Sequence, residues 1–302
     1  MHDLIIVGGG ASGFAAGVFA LSKELDFRII YENRGGKSNW RQSLTNQKEQ
    51  GFLAGAEALM IFERQVEAHR DSTVKDRVTA ITKKEHFFEV KTTRRGVLQS
   101  AAVIVCTGVT PIKLDIPGAD MFLGYGLGYS AITHTALLDG RCVAVIGATD
   151  RALRGAAEIS QKARQVYLIT PNDSSLLTPL GMAVQYRPNV EVFQDCRLLE
   201  LTGSLSVERL TVEQHGEVHT LNIDAAFVDL GLLPNSECVR KVVRTDRDGF
   251  VWVDDRNATS LPGLFAAGDV TTTFGEQALI AIGEGARAAL SAYDYILEHS
   301  IH

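Results

Sequence analysis

The chain has 302 residues, enough for two domains that each bury a core. Its hydrophobic content of 45% and charged content of 22% are ordinary for a globular protein, and a net charge of −6 is too mild to imply a nucleic-acid partner or strong membrane attraction. No apolar run reaches the roughly 20 residues of a membrane span, and the chain enters a strand almost at once, so neither a span nor a signal peptide is expected and the cytoplasm is the expected compartment.

The first predicted strand, 4–7, runs into Gly8-Gly9-Gly10-Ala11-Ser12-Gly13 and then an Ala-rich helix, 12–25. Gly13 and Gly17 share a face of that helix, where it can pack closely on a sheet. Strand 27–31 follows, and Glu32 ends it. Such a turn lets backbone amides approach a pyrophosphate, and a carboxylate about twenty residues later can hold both ribose hydroxyls of an adenosine. The combination points to a bound dinucleotide rather than a merely tight turn. Arg34, Lys37, Arg41 and Lys48 then fall close together; they read first as a solvated loop, with a basic protein-docking patch as the alternative.

An amphipathic helix is predicted over 56–70, and strands over 74–82, 86–93 and 97–106. The last strand ends in Cys106-Thr107-Gly108. Pro111, Pro117 and a Gly/Tyr-rich stretch, 124–129, read as a hinge into a second domain. Tyr125 and Tyr129 in that stretch fit stacking near a cofactor and packing between domains equally well.

The second domain repeats the opening of the first. Strand 143–146 runs into Gly147-Ala148-Thr149-Asp150-Arg151-Ala152, helix 151–164 and strand 166–170. Here Thr149 stands where the middle glycine should be, and Asp150 adds a negative charge. Gly147 still permits a tight turn, and Arg151 and Arg154 share one face of the first helical turn. Cations are disfavoured at a helix N-terminus, so the pair implies a compensating anion, such as the diphosphate of a second FAD or another nucleotide. The alternative is that both arginines pair with Asp150, Glu158 or solvent. A Pro-flanked segment, 171–188, leads to strands 190–194, 197–202, 206–214, 217–222 and 225–229, and Gly231-Leu232-Leu233-Pro234-Asn235 turns the chain back. Near the end, Leu264-Phe265-Ala266-Ala267-Gly268-Asp269 delivers an acid beside a glycine ahead of a final helix, 277–299.

The four cysteines, Cys106, Cys142, Cys196 and Cys238, form no Cys-x-x-Cys pair and have no zinc spacing. Cys106 and Cys142 lie in apolar strands and read as buried small hydrophobes.

Taken in order, GGGASG, Glu32, Gly35-Gly36, Asn46, Cys106-Thr107-Gly108, VAVIG, GLLPN, PGLFAAGDV and Gln277-Ala278 carry a resemblance across nearly the whole chain. It resembles the low-molecular-weight thioredoxin reductases, within the wider pyridine nucleotide–disulfide oxidoreductases. The resemblance implies an α/β fold of two Rossmann-like three-layer domains. An FAD domain, residues 1–113 and 244–302, is interrupted by a degenerate pyridine-nucleotide-type domain, 114–243. It also implies a homodimer and FAD contacts from Gly8, Gly10, Ser12, Gly13, Glu32, Gly36, Lys37, Asn46, Thr107, Gly108, Gly268, Asp269, Gln277 and Ala278. The helix after Asp269 would then aim its positive end at the flavin.

The departures are as informative. Where the family has its redox-active Cys-x-x-Cys, this chain has Ser130 and Thr133. Hydroxyls cannot form the mixed disulfide that the exchange requires. The family's neighbouring acid falls at His134, a residue type suited to proton transfer at physiological pH and the one candidate for it, set against a structural role. After strand 166–170, where the family carries His-Arg-Arg for the NADPH 2′-phosphate, Pro171-Asn172-Asp173 offers no cation. The expected function is therefore an FAD-dependent oxidoreductase independent of NADPH and without its own dithiol, fed by a ferredoxin-like protein or a second flavin. Two alternatives stay open: a redox-inactive flavin-binding sensor, and an NADH-using ferredoxin or quinone reductase.

Overall fold

The first strand, β1 (His2–Gly9), is an aliphatic run with Leu4, Ile5 and Ile6 fully buried, as a strand covered on both faces requires. In the computed structural model the described residues are 1–39, 55–69, 71–170 and 174–299. Helix α1 (Ala11–Ser22) leads to β2 (Phe27–Arg34), which lies parallel to β1 with Leu4 opposite Phe27. β2 continues past Glu32, the expected end, because Arg34 pairs with Gly9 and the Gly35 amide donates to the Gly9 carbonyl at 2.7 Å.

Next come α2 (Gly55–Glu67), β3 (Thr73–Lys75), β4 (Val78–Lys83), β5 (Phe88–Thr92) and β6 (Val97–Val105). The single strand expected over 74–82 is thus two. Asp76 sits buried between them and accepts the amides of Arg77 at 2.8 Å and Arg95 at 3.0 Å. That carboxylate turns the chain from the parallel edge β3 into the antiparallel β4. Burial opposes its charge, but the amide bonds outweigh burial and hold its pKa below the usual carboxylate value.

The chain continues through β7 (Val109–Pro111), α3 (Ala119–Phe122), β8 (Leu127–Gly128), β9 (Cys142–Ile146), α4 (Asp150–Ile159), β10 (Gln165–Thr170), α5 (Pro179–Gln185) and β11 (Val190–Gln194). Then follow β12 (Arg197–Gly203), β13 (Val207–Gln214), β14 (Glu217–Asn222), β15 (Ala225–Val228), β16 (Leu232–Pro234), β17 (Leu264–Ala266) and α6 (Ala278–His299). β7 and β16 pair with each other.

Two compact units result. One holds Met1–Asn39, the described part of Leu53–Thr110, and Leu233–His302; the other holds Pro111–Leu232. In the first, the sheet order is β3-β2-β1-β6-β5-β4. β6 pairs with β5 along Val97–Ser100 and with β17 along Val103–Val105. Phe14, Ile29, Ile104 and Ala288 meet in a core on the helical side, and Ile5, Val90, Val103 and Leu264 in a second core. In the second unit a parallel sheet, β11-β10-β9-β15-β8, stands with an antiparallel one, β12-β13-β14. Both units are α/β with parallel strand–helix–strand openings, the arrangement expected of Rossmann-like folds.

Among the described residues, no helix is long and apolar enough to cross a membrane. Of the basic cluster, Arg34 forms an ion pair with Glu67 and its guanidinium donates to the Tyr31 hydroxyl at 3.2 Å, while Arg41 and Lys48 lie outside the described residues. Tyr129 packs in the core of the second unit and its hydroxyl accepts the Leu114 amide at 3.4 Å, whereas Tyr125 is exposed.

Candidate functional site

The glycines after β1 differ from one another in what they do. Gly8 has φ +121°, and a Cβ there would lie 2.1 Å from the Cys106 carbonyl oxygen. A Cβ on Gly13 would lie 2.0 Å from the Gly8 carbonyl oxygen. These two are glycine because backbone passes where a side chain would sit. Gly10 is different: its φ is −93°, which any residue adopts, and no atom of the described residues lies within 4 Å of where its Cβ would be. Among the described residues nothing requires glycine at Gly10. It is also the N-cap of α1 and supplies no side-chain cap. The turn therefore presents a helix N-terminus to open space, the geometry that admits an anion.

Other expected site residues gather round this turn. Gly36, with φ +49°, faces it: a Cβ on Gly36 would lie 3.8 Å from the Gly10 Cα. Ser12 is buried in the first turn of α1, and a Cβ on Gly268 would lie 2.7 Å from its Oγ. The Lys37 ammonium lies 2.7 Å from Asp269 Oδ2, with both side chains mostly buried. Thr107 and Gly108 follow β6, and both are held by Asn235: its Nδ2 donates to the Thr107 carbonyl and its amide to the Gly108 carbonyl, each at 3.0 Å. The Thr107 Oγ1 is buried without a hydrogen-bond partner among the described residues. Glu32 stands exposed on β2, 3.9 Å from Arg77 Nε. Gln277 is exposed just before α6, which Ala278 opens. Asn46 lies outside the described residues.

Two contributors to this unit carry no motif of their own in the sequence. Asn235 was visible only as part of GLLPN. Glu284 was not singled out, although it falls in the apolar stripe of α6 with Ala281 and Ala288, where a charge is out of place. It is 2% exposed, and its Oε2 accepts the Gly268 amide at 2.7 Å. Burial raises its pKa, and the Gly268 hydrogen bond only partly offsets that. A carboxyl with a raised folded pKa contributes stability that is present below its unfolded pKa and lost as pH rises through the folded one. Glu284→Gln, which keeps the acceptor for Gly268, is therefore expected to raise the melting temperature relative to wild type more at about pH 8 than at about pH 5. Thermal melts at the two pH values check this, and a gain independent of pH would contradict it.

The second turn, in the other unit, has taken a different course. Gly147 keeps the tight conformation, φ +144°, with Asp229's carbonyl oxygen 1.9 Å from where a Cβ would sit. Thr149 is the N-cap of α4, and its Oγ1 accepts the Ala152 amide at 3.0 Å. Arg151 Nε lies 2.6 Å from Asp229 Oδ2, and Arg154 lies 3.8 Å from Asp150 Oδ2. Arg154 thus pairs with Asp150, a member of the expected set of Asp150, Glu158 and solvent, whereas the Arg151–Asp229 pair lies outside that set.

Ser130 is half-buried ahead of the 3-10 stretch Ile132–Leu138, which contains Thr133 and His134; their side chains lie outside what the structure describes. All four cysteines are free. Cys106 is buried as expected, and burial pushes its thiol up to about 12. Cys142 is not the buried hydrophobe expected: it is partly exposed at the start of β9, and its sulfur accepts from the Arg164 guanidinium at 3.1 Å. Burial likewise pushes Cys238 up to about 11. Among the described residues no three His, Cys, Asp or Glu side chains are grouped to hold a metal ion.

The chain is 31% identical over 306 residues to the F subunit of alkyl hydroperoxide reductase in Staphylococcus aureus (strain MRSA252), a match covering 99% of this chain and 60% of that protein. The corresponding protein of Staphylococcus epidermidis (strain ATCC 12228) is 30% identical over 302 residues, again with 99% and 60% covered, so the chain spans about 60% of the length of these relatives. The crystal structure of thioredoxin reductase from Streptococcus pyogenes MGAS5005 has a TM-score of 0.87 at 25% identity, with 99% of both chains covered. Thioredoxin reductase from Giardia duodenalis shares the fold, with a TM-score of 0.86 at 24% identity over 98% of this chain and 99% of that one. The sequence profile of the pyridine nucleotide-disulphide oxidoreductases matches residues 2–285, and the chain belongs to that family.

Proposed function

We propose that this family member binds one FAD on its first glycine turn and takes electrons from a carrier other than NADPH, a small protein of the ferredoxin kind, without a dithiol of its own. By family the chain is a flavin-dependent oxidoreductase with FAD as its cofactor. The donor reading rests on the contrast between the two turns. α1 starts uncapped at Gly10 beside open space. α4 starts with its Ala152 amide taken by Thr149 and its Arg151 paired with Asp229. A diphosphate meets an uncapped helix end at the first, whereas at the second one amide and the cation are already taken.

The residues of the first unit suit FAD. The α1 N-terminus and Gly10 would take the diphosphate, and Glu32 the ribose hydroxyls. The unpartnered Thr107 hydroxyl is a donor within the same loop cluster. When bound, FAD supplies the electron-carrying ring. The chain orients it, and the Lys37–Asp269 pair and the α6 N-terminus set the charge around it. The absence of any Cys-x-x-Cys, with the Cys106 and Cys238 thiols held protonated by burial, supports transfer without a protein disulfide. By likeness to the thioredoxin reductases the working form is a homodimer, which light scattering of the FAD-loaded protein tests.

The deciding experiment is anaerobic titration of the flavin band with NADPH, NADH and reduced ferredoxin. Ferredoxin is expected to bleach it while both nicotinamide nucleotides leave it oxidised for minutes. Fast bleaching by NADPH would overturn the donor reading. Bleaching by NADH alone would make the chain a nicotinamide-dependent reductase. A flavin that no protein or nucleotide donor reduces would make it a sensor.

A further inference from the structure

We propose that Asp229 is a specificity-determining residue: its carboxylate takes the anion place at the second turn and keeps dinucleotides out. The inference deepens the donor reading above and rests on it. β15 ends at Val228, paired in register with Ile146, so the next residue, Asp229, lies beside Gly147 at the carboxyl end of the sheet. The Asp229 amide donates to the Ile146 carbonyl at 2.7 Å, which fixes its backbone against the turn. The carboxyl ends of parallel strands are where open α/β sheets receive their ligands.

The side chain then behaves as a bound anion would. Asp229 Oδ2 sits 2.6 Å from Arg151 Nε, in the first turn of α4, and both side chains are largely buried. The helix end favours a negative charge at that place, and Arg151 supplies the cation a phosphate would need. Asp229 Oδ1 is also buried and has no hydrogen-bond partner among the described residues. A carboxylate placed only to stabilise the fold would be expected to satisfy both oxygens. One that has replaced a larger, multi-oxygen ligand need not. With Thr149 bonded to the Ala152 amide, the chain itself uses the cation and one of the amides that a diphosphate would use. The anion that Arg151 calls for in the sequence is thus internal, and the expected flavin content is one per chain.

The test uses FAD-loaded wild type, Asp229→Ala and Asp229→Asn, titrated calorimetrically with ADP-ribose, a diphosphate ligand that cannot reduce flavin. Asparagine keeps the carboxylate's shape, so at least one variant is expected to keep the wild-type circular dichroism. Removing the like charge and releasing Arg151 should tighten ADP-ribose binding at least about tenfold over wild type. Adding Arg151→Ala to either variant should abolish the gain. Folded variants that bind no more tightly than wild type would overturn the proposal, as would a gain that survives loss of Arg151. The two readings fail separately. NADPH reduction of wild type removes the donor reading, whereas unchanged ADP-ribose affinity in the variants removes only the role of Asp229.

Discussion

Gly10→Asp is expected to cost at least about 100-fold in FAD affinity, near 2.7 kcal/mol, with no loss of stability in the FAD-free protein. The two halves of this result come from one geometric fact. Gly10 has φ −93° and ψ −168°, the extended conformation of an N-cap, and open space in its Cβ direction. Aspartate is among the preferred N-caps and its charge suits the helix end, so exchanging glycine for it should leave stability level or improve it by a few tenths of a kcal/mol. The same carboxylate would stand where the diphosphate is proposed to bind, occupying the amides and repelling the phosphates. Gly13→Ala is the opposite control. Its Cβ would lie 2.0 Å from the Gly8 carbonyl oxygen, so the fold itself should suffer, by about 3 kcal/mol or more. Thermal melts of the FAD-free proteins and ultrafiltration of the FAD-loaded ones separate the two effects. A Gly10→Asp protein that retains FAD like wild type would show that the diphosphate lies elsewhere.

The contrast between Gly10 and Gly13 also marks the limit of what the sequence reveals. The strand–turn–helix context was legible twice, because local hydrophobic periodicity and glycine spacing determine it. The final helix was placed within one residue at its start, 277 against Ala278. What the sequence hides are partnerships between residues far apart in the chain. Arg151 calls for an anion, and the sequence offers its neighbours Asp150 and Glu158, while Asp229, far along the chain, is the carboxylate it meets. The split of strand 74–82 depends on Asp76 receiving amides from Arg94 and Arg95, beyond the next hairpin. Glu284 carried a detectable sign, a carboxyl in an apolar helical stripe, but its partner, the Gly268 amide, belongs to another element. Each case is a polar group whose burial forces a specific long-range bond, and apolar periodicity does not report such bonds.

Lys37→Met is expected to destabilise the protein by about 3–5 kcal/mol, the range for removing one partner of a buried ion pair. Lys37 and Asp269 are 18% and 14% exposed, and the ammonium lies 2.7 Å from the carboxylate, so water can replace little of what the lysine provides. Methionine fills the space of the lysine stem and isolates the loss of charge from the loss of packing. The Asp269 carboxylate would then face the buried Glu284 without a counter-charge, and Asp269 already contributes to raising the Glu284 pKa. Asp269→Asn alone should cost less than Lys37→Met, because a lone ammonium on a long side chain can swing out to water while a short carboxylate cannot. The double variant Lys37→Met/Asp269→Asn should recover about 2 kcal/mol or more of the summed losses, the coupling of a close, poorly solvated pair. Urea unfolding of the four FAD-free proteins measures that coupling directly. A coupling near zero would mean that the pair acts as an exposed surface contact and that the charge beside the proposed flavin site is set by other groups.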